Sequence, residues 1–169
     1  MFPNSLARSG HAVRLGNVEM QSVVFTSTLD LGYRDALERL FFYNGNQNTA
    51  SDAILLAIER FGSPRIEVIG SRLWVSLDSG LEAQSLFVLD PSQAGEPLVG
   101  IVVYTRDNDT LVILFLAVRE DFSSRGTRAR ELLFFRIVDE VRSVARRIRG
   151  ISSITMFLRG ATAARIPVK

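Results

Sequence analysis

The segment covering residues 110–158 most constrains what this chain can fold into. It reads as a strongly apolar strand over residues 110–118, a stretch with helical spacing of apolar residues over about 128–149, and a second apolar strand over 151–158. A strand that is apolar on both faces belongs in the interior of a sheet. Two strands joined by a crossover helix lie parallel to each other. The segment therefore predicts a βαβ unit whose first strand is central.

The residues before this unit predict two helices and an antiparallel meander. Residues 20–29 are a candidate first strand, and apolar spacing predicts helices over 31–44 and 51–61. Further strands are predicted over residues 65–78 with a bulge or turn at Gly70, over 84–90, and over 98–105, which forms a hairpin with 110–118 across RDND. We therefore expect a single domain over residues 1–169 with a mixed sheet, of the α+β (α/β) class, in which residues 1–20 are poorly ordered.

Composition excludes several kinds of chemistry. The chain has no Cys and one His, His11, so disulfides, zinc–thiolate sites and a Ser-His-Asp triad are not expected, and no metal site is predicted. The longest apolar run, over residues 111–118, is too short to span a bilayer of about 30 Å. The N-terminal residues lack the apolar core of a secretory signal. We expect a cytoplasmic protein that does not enter a membrane.

The loop between the predicted strand and the long helix carries an unusual concentration of cations. Arg125, Arg128 and Arg130 surround a single glycine, Gly126, and residues 119–169 hold twelve basic against five acidic residues. Cations in the first turn of a helix are disfavoured by roughly 0.3–1 kcal/mol each. Either an anion such as a phosphate docks among these guanidinium groups, or they form a solvated surface neutralised by nearby acidic residues.

The order of these elements resembles the GNAT superfamily of acyltransferases over about residues 84–165. In that family a loop of the form Q/R-x-x-G-x-G/A follows the central strand, and its backbone amides hold the pyrophosphate of acetyl-CoA. The corresponding residues here are Ser123, Ser124, Arg125, Gly126, Thr127 and Arg128, which keep the middle glycine and lose the rest of the pattern. The resemblance implies that residues of this loop and the end of the strand bind acetyl-CoA or another acyl-CoA. These implied cofactor-binding residues are Leu116, Ala117, Val118, Arg125, Gly126, Thr127, Arg128, Ala129 and Arg130.

The catalytic groups of the family have no clear counterpart in this sequence. The central strand carries no Glu, and the C-terminal residues RGATAARIPVK lack the Asn and Tyr of the family's N-x-x-A-x-x-L-Y helix. The C-terminal hairpin of the family is also predicted to be missing. Tyr104 and Glu120 are the nearest substitutes, but a structural role is the better explanation of Tyr104 and an equally good one of Glu120, so the catalytic residues stay unknown.

Three functions remain open at this point. The resemblance implies a CoA-dependent N-acyltransferase acting on a small molecule or other amino-group acceptor. The missing groups favour a catalytically silent ligand-binding or protein-interaction module with the same fold. The arginines of RSVARRIRG suggest nucleic acid, but they end a helix whose dipole already favours cations, and no aromatic RNA-binding motif accompanies them. A homodimer would cover the sheet edge left by a shortened C-terminus.

Overall fold

The described part of the chain forms one six-stranded mixed sheet, one three-stranded sheet and three α-helices. A computed structural model describes residues 23–45, 51–158 and 162–169. The elements in chain order are β1 (Val24–Thr26), β2 (Leu29–Asp30), α1 (Arg34–Phe42), α2 (Ser51–Phe61), β3 (Pro64–Ile69), β4 (Arg72–Leu77), β5 (Gln84–Leu89), β6 (Leu98–Asp107), β7 (Thr110–Val118), α3 (Leu133–Arg147), β8 (Ser153–Leu158) and β9 (Thr162–Pro167). Short 3₁₀ turns precede α1 and occur twice between β7 and α3.

The larger sheet has six strands in the order β1-β5-β6-β7-β8-β9. All neighbours are antiparallel except β7 and β8, which are parallel and joined by α3. The predicted meander, the crossover helix and the parallel pair are thus confirmed, and the fold is a mixed α+β arrangement. Strands β2, β4 and β3 form a second, antiparallel sheet, in which Gly70 provides the turn with a φ of +64°.

The two faces of the six-stranded sheet carry separate hydrophobic cores. Helix α3 covers one face with Leu133, Ile137 and Val141, which are fully buried. Helices α1 and α2 and the small sheet cover the other face, with Leu37, Phe61 and Leu73 among the buried residues. Alternate residues of β6 and β7 pack in the two cores, which explains why residues 98–104 of β6 and 111–118 of β7 include no charged side chain.

The long helix begins later than its sequence predicts. Residue 128 was the expected start, but Ala129–Glu131 form a 3₁₀ turn and α3 begins at Leu133. Leu132 separates the two with a left-handed backbone, φ 51°, which interrupts the helical hydrogen bonding. The cationic loop therefore precedes the helix and does not form its first turn.

Two further expectations are wrong. Residues 24–30 do not continue one strand, because β1 pairs with β5 and β2 pairs with β4 of the other sheet. The chain also does not lack a C-terminal strand pair, because β9 is antiparallel to β8 from Thr162 to Pro167. Strand β9 is at the sheet edge and mostly exposed, so it carries little of the apolar pattern that reveals a strand.

Residues 1–20, which were expected to be poorly ordered, and His11 within them lie outside the described residues. Across the described ranges, no helix combines the length and the apolar character that crossing a bilayer requires.

Candidate functional site

A β-bulge divides strand β7 into two parts. The antiparallel register pairs Tyr104 of β6 with Ile113, but the next residue, Val103, pairs with Phe115. Leu114 is therefore an extra residue without a partner on β6. Leu114 and Phe115 consequently both face the α1/α2 core, whereas Ile113 and Leu116 both face α3. Bulges of this kind bend a strand and are frequent beside functional sites.

The parallel pairing of β7 with β8 ends at this bulge. Residues 110–113 pair with Ser153, Ile154, Thr155 and Met156, and the last pair is Ile113 with Met156. Beyond it, β7 continues for five residues and β8 for two without any pairing between them. The two strands therefore separate at their C-terminal ends, and β7 keeps an unpaired backbone edge there.

A cavity of about 470 Å³ occupies the space between the separated strands. Its lining includes Phe41, Ala53 and Ile54 from the helices on one face of the sheet, and Leu133 and Phe134 from α3 on the other. Because residues from both faces border one space, the cavity passes through the sheet. Its size is within the range of about 300–1,000 Å³ that is usual for small-molecule sites.

The sequence-predicted residues fall into two groups around this cavity. Leu116, Ala117 and Val118 line it, and so does Ala129. The other loop residues are not part of the lining; they are Arg125, Gly126, Thr127, Arg128 and Arg130. Ser123 and Ser124 of the same loop do contact the cavity, so the cationic loop lies at its border.

Gly126 has a packing role within the loop. A Cβ atom at this position would overlap with the backbone carbonyl groups of Glu120 and Asp121, so only glycine allows this close approach. Its N–H group donates to the Ser123 carbonyl at 2.9 Å, and the N–H groups of Arg128 and Ala129 donate to Asp121 and Gly126. These three amides are therefore already satisfied and do not form a free phosphate cradle.

Arg128 is held by acidic residues of the protein. Its guanidinium group donates to both carboxylate oxygens of Glu131 and to Asp90, which is completely buried. Burial would raise the pKa of the Asp90 carboxyl, but hydrogen bonds from Ser92 and Arg128 outweigh it and lower the pKa to about 2. Asp90 is thus an anion at neutral pH, and Arg128 is its counter-charge.

This ion-pair network fixes one wall of the cavity. The guanidinium carbon of Arg128 lies 4.1 Å from the ring centroid of Phe122, which is buried and lines the cavity. Arg119 approaches the same ring at 5.6 Å and pairs with Asp121 at 2.7 Å. No sequence pattern connects Asp90 with this loop, because thirty-eight positions separate it from Arg128.

Arg125 and Arg130 differ from Arg128. Both side chains are exposed, and neither forms an ion pair with another residue of the described ranges. Of the three arginines that the sequence singled out, these two have guanidinium groups available to an anion from solution.

The start of α3 supplies backbone donors at the cavity. The first helical hydrogen bond runs from the Arg136 N–H to the Leu132 carbonyl, so the N–H groups of residues 133–135 precede it. Leu132, the N-cap residue, has no side-chain oxygen to accept from them, and residues 132–135 line the cavity. An uncapped helix start of this kind attracts negative charge.

The cavity contains few groups capable of acid–base chemistry. Asn44, Ser123 and Ser124 are the polar side chains among its lining residues. The Asn44 side-chain amide donates to the Val118 carbonyl at 2.6 Å, which ties α1 to the end of β7. Among the described residues, no three His, Cys, Asp or Glu side chains cluster closely enough to hold a metal ion.

Neither of the two catalytic candidates from the sequence is among the residues that line the cavity. A Glu120 carboxylate oxygen accepts from the Gly45 N–H at 3.1 Å. Tyr104 is buried in the α3 core, where desolvation raises the pKa of its phenol, and its hydroxyl is 3.4 Å from the Gln84 side chain. The partner of Tyr104 on β7 is Ile113, the last residue of β7 that also pairs with β8.

The chain was compared with models of protein families, with curated proteins and with solved structures, and it matches none of them.

Proposed function

We propose that the cleft between β7 and β8 binds the pantetheine arm of an acyl-CoA and that the protein is a GNAT-like, CoA-dependent N-acyltransferase. One observation carries this proposal: a bulge ends the parallel pairing and leaves a cavity that passes through the sheet. A long, narrow ligand with amide groups and an anionic end suits such a cleft.

The unpaired edge of β7 provides hydrogen-bonding groups for the amides of pantetheine. An extended ligand can pair with a free strand edge in the manner of a short additional strand. The Val118 carbonyl already accepts from Asn44. The backbone groups of Leu116 and Ala117 are therefore the principal candidates for this pairing.

The phosphates would bind at the start of α3 and not in a glycine-rich loop. The amides of Gly126, Arg128 and Ala129 are used within the loop, whereas those of residues 133–135 precede the first helical hydrogen bond. Arg125 and Arg130 provide two exposed positive charges in the same loop. A helix N-terminus and guanidinium groups both favour phosphate.

Transfer in this site depends on the acceptor arriving as a neutral amine. Removal of a proton from an ammonium group requires a base whose pKa is near the working pH. The lining residues include no His, Asp, Glu, Lys or Tyr side chain. The same observation favours a second candidate function, a catalytically silent module that binds the thioester without transferring its acyl group.

A thermal-shift titration with CoA and acetyl-CoA tests the binding proposal. We expect both ligands to raise the melting temperature of the parent protein, because they bind the folded state only. The double variant Arg125→Ala/Arg130→Ala should need at least tenfold more ligand for the same rise in melting temperature. Its matched control, Arg72→Ala/Arg149→Ala, removes two exposed charges at other sites and should respond like the parent.

Release of free thiol from acetyl-CoA in the presence of a panel of amines then separates the two functions. Turnover that depends on the amine supports the transferase, and binding without turnover supports the silent module. If neither ligand stabilises the parent protein, the cleft does not bind CoA and both functions fail.

A further inference from the structure

We infer that the part of the cavity beneath α1 and α2 is a pocket for an apolar acyl chain longer than acetyl. This inference rests on the proposed function, since it assigns the acyl group of the thioester that the cleft would bind. It selects saturated acyl-CoAs of medium chain length as the preferred ligands.

The lining on this side of the sheet is almost entirely apolar. The residues that form it belong to α1, α2 and the strands beneath them, and they include Phe41, Ala53, Ile54, Ile101, Phe115 and Phe157. Asn44, which follows α1, is a polar member of the lining, and its side-chain amide donates to the Val118 carbonyl. A charged or hydroxylated acyl group would lose its hydration here without finding partners, which is costly.

The shape of this side also favours a chain over a two-carbon group. Small side chains, Ala53 on α2 and Ala117 on β7, border the space. Phe41 and Phe115 form a wall with ring centroids 5.4 Å apart, and Phe41 is buried. Closely packed aromatic rings do not collapse readily into a neighbouring void. An acetyl group would leave this space unfilled, whereas a longer chain gains burial and dispersion contacts.

The affinities of a series of acyl-CoAs from acetyl to decanoyl, measured by calorimetry, test the inference. Each methylene group that becomes fully buried should tighten binding by about fourfold. We expect affinity to rise along the series and then to level off when the chain fills the pocket.

A change in the pocket should move that plateau. Ala53→Leu occupies space on the α2 side, so the plateau should occur at a shorter chain than in the parent protein. Leu55→Phe is the matched control, because it enlarges an exposed apolar side chain on the same helix. Ala53→Val serves as a milder variant if leucine overpacks the site.

The outcomes distinguish this inference from the proposed function. Equal affinities for CoA and all acyl-CoAs would overturn the acyl pocket and leave the CoA cleft intact. A chain-length plateau that Ala53→Leu does not move would overturn the assignment of the pocket to this side. Absence of binding by every member of the series, CoA included, would overturn both.

Discussion

The two halves of strand β7 have similar sequences and opposite surroundings. Residues 110–113 lie between two hydrogen-bonded neighbours, β6 and β8, whereas residues 115–118 pair with β6 alone. Both halves are rich in large apolar side chains. The difference begins at Leu114, the one residue of the pair of strands that has no partner on β6. A single inserted residue, and not a change of composition, thus accounts for the cleft.

The open half of β7, residues 114–118, has backbone groups that need further hydrogen-bond partners, whereas the closed half, residues 110–113, has none. Backbone N–H and C=O groups lose free energy when they are buried without partners. Those of residues 110–113 are satisfied within the sheet, but the β8-facing edge of residues 114–118 borders the cavity. Solvent or a ligand must satisfy that edge, so this end of the sheet is suited to binding and the other end to stability.

Of the changes considered, deletion of Leu114 should most reduce the difference between the two halves of β7. The deletion removes the bulge while the residues on either side keep their faces, so β7 can continue beside β8 beyond Ile113. We expect the amides of residues 115–118 that face β8 to gain at least tenfold protection from hydrogen exchange. Stabilisation by CoA should disappear. Unchanged exchange with a folded protein would show that the bulge does not hold the strands apart.

Truncation of a leucine to alanine should lower the free energy of unfolding more in the closed half of β7 than in the open half. Leu111 is buried and Leu116 borders the cavity. Leu111→Ala is expected to lower the free energy of unfolding by about 3 kcal/mol, because it leaves a closed void. Leu116→Ala should cost about 1 kcal/mol or less, because its surroundings are already open. Urea unfolding of both variants measures the difference, and equal costs would mean that the open half is packed as tightly as the closed half.

Neutralisation of Asp90 should have a smaller effect that depends on pH. The pKa of this carboxyl is about 2 in the folded protein, below the value of about 3.9 expected for an unfolded chain. Its contribution is therefore complete above about pH 4 and is lost as the pH falls toward 2. Asp90→Asn should lower the free energy of unfolding at pH 7 by on the order of 2 kcal/mol.

The difference between the parent protein and Asp90→Asn should therefore decrease between pH 4 and pH 2 in urea unfolding experiments. Asp139→Asn, a change at an exposed position of α3, is the control and should show no such difference. A constant difference across this pH range would mean that the charge of Asp90 does not stabilise the loop.

The elements with long, regular patterns were predictable from the sequence. The bounds of β7 and α2 agree with the apolar spacing, and the parallel pairing of β7 with β8 follows from the helix between them. The start of α3 was not predictable in this way. The segment around Glu131 has helical composition, but the left-handed backbone at Leu132 and the attraction of Glu131 to Arg128 produce a separate turn.

The candidate site was predictable in part. The end of β7 and the loop after it were identified from the sequence, and the structure puts Leu116, Ala117, Val118 and Ala129 in the cavity lining. The sequence did not predict that Arg128 is paired within the protein while Arg125 and Arg130 are exposed, since this pairing depends on Asp90, a residue of another loop.

The sequence by itself determined which segments are apolar, in what order they occur and which pair must be parallel, because these follow from side-chain periodicity and from chain connectivity. Only the tertiary structure decided where β7 and β8 separate and which arginines of the loop, Arg125 and Arg130, remain exposed. An uninterrupted apolar run has the same appearance with or without a bulge, because every side chain in it is suited to either face of a sheet whose two faces are both covered.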